Sequence, residues 1–74
     1  MTSPDEIRHR IEAALPGADV QVADTTGGGD HFEVRVRAAA FAGKTLIEQH
    51  QMIYGALGGL MPEIHALSLR TAAA

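Results

Sequence analysis

The sequence predicts an α+β domain in which two helices cover one face of a three-stranded sheet. Three observations lead there: helix-start signatures at Ser3 and Thr45, alternating apolar and polar residues on both sides of a glycine-rich turn at 25–30, and a short alternating segment at 64–70. Their order along the chain is α-β-β-α-β. Because 74 residues provide interior for a single hydrophobic core, we expect one domain over residues 1–74.

The first helix is expected to begin near the N-terminus. Ser3 with Glu6 three residues later is the capping-box pattern, and Pro4 falls at the first helical position, where a missing N–H is tolerated. Pro16 and the following glycine end the helix. The apolar positions that recur at helical spacing are Ile7, Ile11, Ala14 and Leu15.

The next two elements are expected to form a β-hairpin. Val20 and Val22 alternate with polar neighbours, which indicates a short strand. After the turn at 25–30, apolar and charged residues alternate again, as in a half-buried strand. The apolar members of that second strand are Phe32, Val34 and Val36, and the charged members are Glu33, Arg35 and Arg37.

A second helix and a third strand complete the prediction. Thr45 with Glu48 is another capping box, and the helix continues to Leu60, where glycines and Pro62 end it. Leu67 and Leu69 then mark the third strand, and residues 72–74 are expected to be a frayed tail. The predicted core consists of Ile7, Ile11, Val34, Val36, Ile53, Leu57, Leu67 and Leu69.

Composition excludes several classes of function. The chain has no Cys, so it has no disulfide, no thiolate zinc site and no cysteine nucleophile. Ser3 and Ser68 lack the glycines of a nucleophile elbow, and the Gly triplet at 27–29 lies between strands rather than before a helix. We therefore expect a protein that is not an enzyme.

Charge and hydropathy limit the expected cellular location and the classes of partner. No apolar run approaches the ~20 residues that cross a bilayer, and the first residues lack the pattern of a secretory signal. We expect a cytoplasmic protein without a membrane partner. A net charge of −3 and only three aromatic residues weigh against general nucleic-acid binding.

Four histidines are the remaining candidates for chemistry. His9 is predicted to face solvent, and His50 is predicted to pack on or beside the core-facing stripe of the second helix. His31 follows the glycine-rich turn and His65 opens the last strand, so both stand at ends of elements, where ligands commonly bind. Strand alternation puts His31 on the polar side but His65 in phase with the apolar Leu67, so the loop would have to turn His31 toward His65.

Three segments, taken together, resemble the BolA family. They are GDHFEV at 29–34, FAGKTL at 41–46 followed by His50 and Tyr54, and IHALSLRT at 64–71, of which the last is the most specific. The similarity covers most of the chain. It implies a class II KH-like fold, which agrees with the α-β-β-α-β order.

The resemblance also implies a partner and a cofactor. BolA relatives combine with monothiol glutaredoxins and share a [2Fe-2S] cluster, for which the glutaredoxin supplies its cysteine and a bound glutathione. The histidine that matches His65 is the characteristic ligand of the family, and the loop residue that matches His31 is the second ligand candidate. This chain is then expected to be a monomer alone, without a cofactor, and a heterodimer with the glutaredoxin.

Two other functions stay open at this point. The usual label of the family suggests a DNA-binding transcriptional regulator that uses the second helix region, with Lys44, Arg35 and Arg37 as candidate nucleic-acid contacts. Against it, Gln51 stands where many relatives have Arg, and Glu48 and the acidic net charge oppose tight binding. The third possibility is a KH-like protein-interaction module whose histidines are structural.

Overall fold

A mixed three-stranded sheet and two helices make up the computed structural model, which describes residues 2–74. The spatial strand order is β1-β2-β3; β1 and β2 form an antiparallel hairpin, while β2 and β3 run parallel. A parallel pair needs a crossover connection, which α2 provides. The elements are α1 (Pro4–Ala14), β1 (Asp19–Asp24), β2 (His31–Ala38), α2 (Leu46–Leu57) and β3 (Ala66–Ala73), with 3-10 turns at Ala39–Phe41 and Gly58–Glu63.

The predicted fold class is confirmed, and its core lies between the helices and one face of the sheet. Alternate residues of β2 are buried, and their intervening neighbours are more exposed. This is the two-residue period of a strand that is covered on one side only. The side chains with the least exposure are Phe41, Ile7, Ile11, Ile53, Leu57, Val34 and Val36.

Both helices begin at the residues that the capping signatures indicated. Thr45 and Glu48 form a complete capping box, because the Thr45 hydroxyl accepts from the Glu48 N–H at 3.2 Å and the Glu48 carboxylate accepts from the Thr45 N–H at 2.9 Å. At α1, Ser3 Oγ accepts from the Glu6 N–H at 3.2 Å, while the Glu6 carboxylate pairs with Arg10 at 3.5 Å. Capping therefore fixes where each helix starts.

The C-terminal strand differs from its prediction in both bounds and burial. Residues 72 and 73 belong to β3, and the N–H of Ala74 donates to the Ala38 carbonyl at 3.2 Å, so the expectation of a frayed tail is wrong. Leu67 and Leu69 are only half-buried, because β3 is an edge strand that the helices cover incompletely. They contact the core from its margin rather than forming its centre.

The second helix also departs from its prediction, in its C-terminal bound and in the exposure of its first residue. It was expected to reach Leu60, but regular α-helix stops at Leu57, where Gly58 takes a φ of 41° and a 3-10 turn follows. A positive φ is readily adopted by glycine and ends the helix. Leu46, the first residue of α2, is 60% exposed although its side chain is apolar. Within residues 2–74, no helix has the length and apolar character needed to cross a membrane.

Candidate functional site

The imidazole rings of His31 and His65 lie side by side at one end of the sheet. Their centroids are 5.0 Å apart and their planes are inclined by 30°. The side chain of His31 is 37% exposed, and His65 is exposed as well. The structure thus brings together the two histidines that the sequence singled out, in a position that an external group can reach.

Parallel pairing of β2 and β3 explains why residues so far apart in sequence meet. The N-terminal ends of two parallel strands lie at the same end of a sheet, and the register pairs His31 with Ala66. The carbonyl of Asp30 accepts from the N–H of His65 at 2.7 Å and from the N–H of Ala66 at 3.1 Å. These two hydrogen bonds to one carbonyl hold the start of β3 against the start of β2.

The conflict between the two side-chain phases disappears because His65 is not part of β3. It lies in the bend that precedes Ala66, so its side chain does not follow the alternation of Leu67 and Leu69. His31 keeps the phase predicted for it and shares the polar face of the sheet with Glu33. The bend at His65, rather than a swing of the glycine loop, brings the rings together.

Asp24 organises the loop that leads to His31, a role that the sequence reading missed. Its carboxylate accepts from the N–H groups of Thr26 at 3.2 Å, Gly27 at 2.8 Å and Gly29 at 2.9 Å. The φ angles of Gly27 and Gly29 are 77° and 76°, in the left-handed region that favours glycine. An aspartate placed just before a Gly-rich turn is a detectable signal for such a loop.

Few other side chains that could ligate a metal surround the histidine pair. Asp30 Oδ2 lies 3.9 Å from His31 Nε2, a contact that is ionic only when the imidazole is protonated. A shallow depression of about 210 Å³ adjoins His31; it is lined by Thr25, His31, Phe32, Glu33, Ala66, Leu67 and Ser68. In the described part of the chain, no three His, Cys, Asp or Glu residues are placed to hold a metal ion together. Two imidazoles leave other positions of a metal open to ligands from elsewhere.

The other two histidines lie on the helices. His9 is exposed on α1, as expected. His50 is half-buried on α2, in keeping with a packed side chain, and its Nε2 is buried without a hydrogen-bond partner among residues 2–74.

The three candidate nucleic-acid contacts do not share a surface. Arg35 and Arg37 are exposed on the face of the sheet that the helices leave open. Lys44 is exposed just before α2, in the helical layer on the opposite side. The residues of α2 itself, LIEQHQMIYGAL, include neither Lys nor Arg.

Comparison with known proteins assigns the chain to a family. The family model described as "BolA-like protein" matches residues 7–74. The chain belongs to the BolA family. Among curated BolA relatives, it is 38% identical to Protein BOLA2 of Arabidopsis thaliana over 73 residues, which span 97% of this chain and 78% of that protein.

Solved BolA structures share the whole fold. A BolA homologue from Coxiella burnetii superposes with a TM-score of 0.81 at 37% identity and covers 99% of this chain and 92% of its own. The BolA domain of SufE1 from Arabidopsis thaliana gives a TM-score of 0.82 at 31% identity, with 95% and 89% covered. The fold of these two BolA structures therefore extends over at least 95% of this chain.

Proposed function

We propose that this BolA-like chain is a non-enzymatic adaptor that binds a monothiol glutaredoxin and shares a [2Fe-2S] cluster with it, in assembly or trafficking of iron-sulfur clusters or in iron and redox regulation. His65 and His31 would be its ligands. The observation that carries the proposal is the 5.0 Å separation of the two exposed imidazole rings.

The donor set fits a shared cluster rather than one held by this chain alone. Iron-sulfur clusters of this type take four ligands, usually thiolates, and this chain has no Cys. Two adjacent imidazoles can fill two positions, provided that a partner brings two sulfurs. The glutaredoxin cysteine and the thiol of glutathione would be those sulfurs.

Histidine ligation gives such a cluster a particular chemistry. When two histidines replace two thiolates on a [2Fe-2S] centre, its reduction potential rises, because neutral ligands donate less charge to iron. The chain's own part is to orient the rings, through the Asp30 carbonyl that holds the start of β3 and through the loop that Asp24 organises. A shared site of this kind is suited to transfer or sensing.

The relatives are compatible with an adaptor role. The chain matches 21% of the length of SufE-like protein 1 of Arabidopsis thaliana, and a solved structure covers the BolA domain of SufE1 by itself. There, a BolA unit is one domain of a longer protein. An adaptor role, in which the chain works beside another protein unit, is consistent with that arrangement.

The regulator alternative has weaker support. A helix that docks on DNA normally carries basic side chains toward phosphates, whereas α2 has none and carries Glu48 in its first turn. A gel-shift series at increasing salt tests it. Retardation that weakens with salt and depends on Lys44 would favour this function over the adaptor.

The adaptor proposal is tested by reconstitution. The chain is mixed with a monothiol glutaredoxin, glutathione, ferrous iron and sulfide under anaerobic conditions, and visible absorption and circular dichroism are recorded. We expect His65→Ala to abolish or alter the heterocomplex spectrum, His31→Ala to alter it, and the exposed control His9→Ala to leave it unchanged. A heterocomplex spectrum that is the same with His65→Ala would falsify the ligand assignment.

A further inference from the structure

The face of the sheet opposite the helices, called here the open face, carries polar side chains and alanines in rows that cross the strands. From the register, His31 on β2 lies beside Ala66 on β3 at one end. The rows that follow pair Glu33 with Ser68, Arg35 with Arg70 and Arg37 with Ala72. The strand β1 contributes Ala23, Gln21 and Asp19 to these same rows.

Three arginines are concentrated at the end of the open face away from the histidines. Arg35 and Arg70 are cross-strand neighbours, and Arg37 is the next residue on the same face. Adjacent strands are about 4.8 Å apart and same-face neighbours about 7 Å apart, so the three side chains rise from one small area. They border a shallow trough of about 340 Å³, which Asp19 and Gln21 also line.

The arginines of this trough are incompletely neutralised. Arg35 contacts the Glu33 carboxylate at 3.3 Å, but among residues 2–74 neither Arg37 nor Arg70 is within 4.0 Å of a carboxylate oxygen. By contrast, Arg8 and Arg10 on α1 each pair with an acidic residue of their own helix. Two free guanidinium groups on an open surface are available to an anionic partner.

The charge of the whole chain is distributed unevenly. The open face has three of the six basic side chains, and two of the nine acidic ones, Asp19 and Glu33. The remaining surface, with three basic and seven acidic groups, is strongly acidic. An anionic protein is therefore attracted to the open face and repelled by the rest of the surface.

The arginines and the histidine pair belong to one continuous surface. Arg37 is six positions after His31 in β2, a span of about 20 Å at the rise of a strand. A protein that brings sulfur ligands to His31 and His65 lies at the end of this face and can extend over the arginines. This step rests on the function proposed above.

We propose that the open face is the docking surface for an acidic region of the sulfur-donating protein, with carboxylates of that region against Arg35, Arg37 and Arg70. Nucleic acid suits the face less well, because no Phe, Tyr or Trp lies on it to stack bases and the surrounding surface is acidic. A lone small anion gains little from exposed guanidinium groups, which solvent screens. An extended acidic surface engages several of them at once.

The first test measures association without iron, so that cluster chemistry does not enter. Association of a glutathione-loaded monothiol glutaredoxin is followed for wild type, for Arg37→Gln with Arg70→Gln, and for a control, Arg8→Gln with Arg10→Gln, which has the same change in charge. We expect the open-face pair to lower the association rate constant about tenfold at low salt, with a smaller difference at high salt. Equal effects of the two pairs, or no effect of the open-face pair, would overturn the proposal.

The second test needs neither glutaredoxin nor iron. A poly-glutamate peptide, inorganic tripolyphosphate and single-stranded oligothymidine are titrated separately against the chain, with backbone amide shifts as the readout. We expect the peptide to shift residues of the open face, and Arg37→Gln with Arg70→Gln to remove those shifts. Shifts of the open face with the oligonucleotide or tripolyphosphate alone would mean a phosphate site and would refute acidic-protein docking.

The two proposals fail in different experiments. An unchanged spectrum with His65→Ala refutes cluster ligation but leaves the peptide shifts and the arginine dependence in place. Absent peptide shifts, together with unaltered glutaredoxin association in the open-face variant, refute the docking surface while the His65-dependent spectrum persists.

Discussion

The rings of His31 and His65 are 5.0 Å apart although 34 positions separate the two residues in the chain. Their proximity follows from the parallel pairing of β2 and β3, which places the starts of both strands at one end of the sheet. The crossover through α2 is therefore what creates the site. A hairpin connection between the same two strands would put the starts of the strands at opposite ends of the sheet.

The histidine pair should bind a divalent transition metal weakly without any partner. Two adjacent imidazoles hold such an ion better than one does. On titration with Co²⁺, we expect the NMR signals of the His31 and His65 rings to broaden first, and those of His9 and His50 to broaden later. His65→Ala should remove the preference for His31, whereas broadening of His9 at the same concentration would contradict a paired site.

Replacement of Asp24 by Ala should loosen the loop before His31. The change removes three backbone hydrogen bonds to one carboxylate, so we expect a loss of about 1–2 kcal/mol in the free energy of unfolding. Hydrogen exchange at 26–29 should accelerate, and affinity for Co²⁺ should fall. Urea denaturation of Asp24→Ala beside Asp19→Ala, at the other end of β1, measures the effect; equal stability of the two variants would argue against the loop assignment.

Acid should weaken the start of α2 through Glu48. The Thr45 N–H, and secondly the Thr45 hydroxyl, favour the charged carboxylate and lower the pKa of Glu48 below its usual value of 4.5. A lowered pKa means that this stabilisation is present above the pKa of the unfolded chain and is lost as the pH falls through the folded-state pKa. Wild type should therefore be more stable than Glu48→Gln at pH 6, and the two should converge as the pH falls below 4.5 and through the lowered folded-state pKa of Glu48. Parallel thermal unfolding curves with a constant difference across that range would contradict this.

Two leucines should differ in their response to the same truncation. Leu57 is fully buried, so Leu57→Ala should destabilise the fold by about 3 kcal/mol or more. Leu69 is only half-buried on the edge strand, and Leu69→Ala should destabilise it by about 1 kcal/mol. Chemical denaturation compares the two directly. Equal losses would mean that β3 is covered in solution, for example by a second copy.

Local signals in the sequence were sufficient for most of the architecture. The caps at Ser3 and Thr45 fixed both helix starts, since a side chain that accepts a free N–H acts within three residues. Alternation in β2 identified its buried and exposed faces, because the two sides of a strand differ at every second residue. Neither inference needed knowledge of distant contacts.

Burial at the margins could not be read from the sequence. Leu46 and Leu69 are as apolar as Leu57, yet the first is 60% exposed and the second half-buried. The difference depends on how far the helices extend over the sheet. Residues 72–73 look like a tail in sequence but form strand, because β2 is long enough to pair with them.

The sequence by itself determined the fold class, showed that the chain has no cysteine, and identified His31 and His65 as the candidates at strand ends. Only the tertiary structure decided that the two rings are neighbours and that Arg35, Arg37 and Arg70 share the open face with His31. The physical reason is register. Hydrogen bonds from the N–H groups of His65 and Ala66 to the Asp30 carbonyl set which residues of two distant segments lie side by side, and no local pattern encodes that alignment.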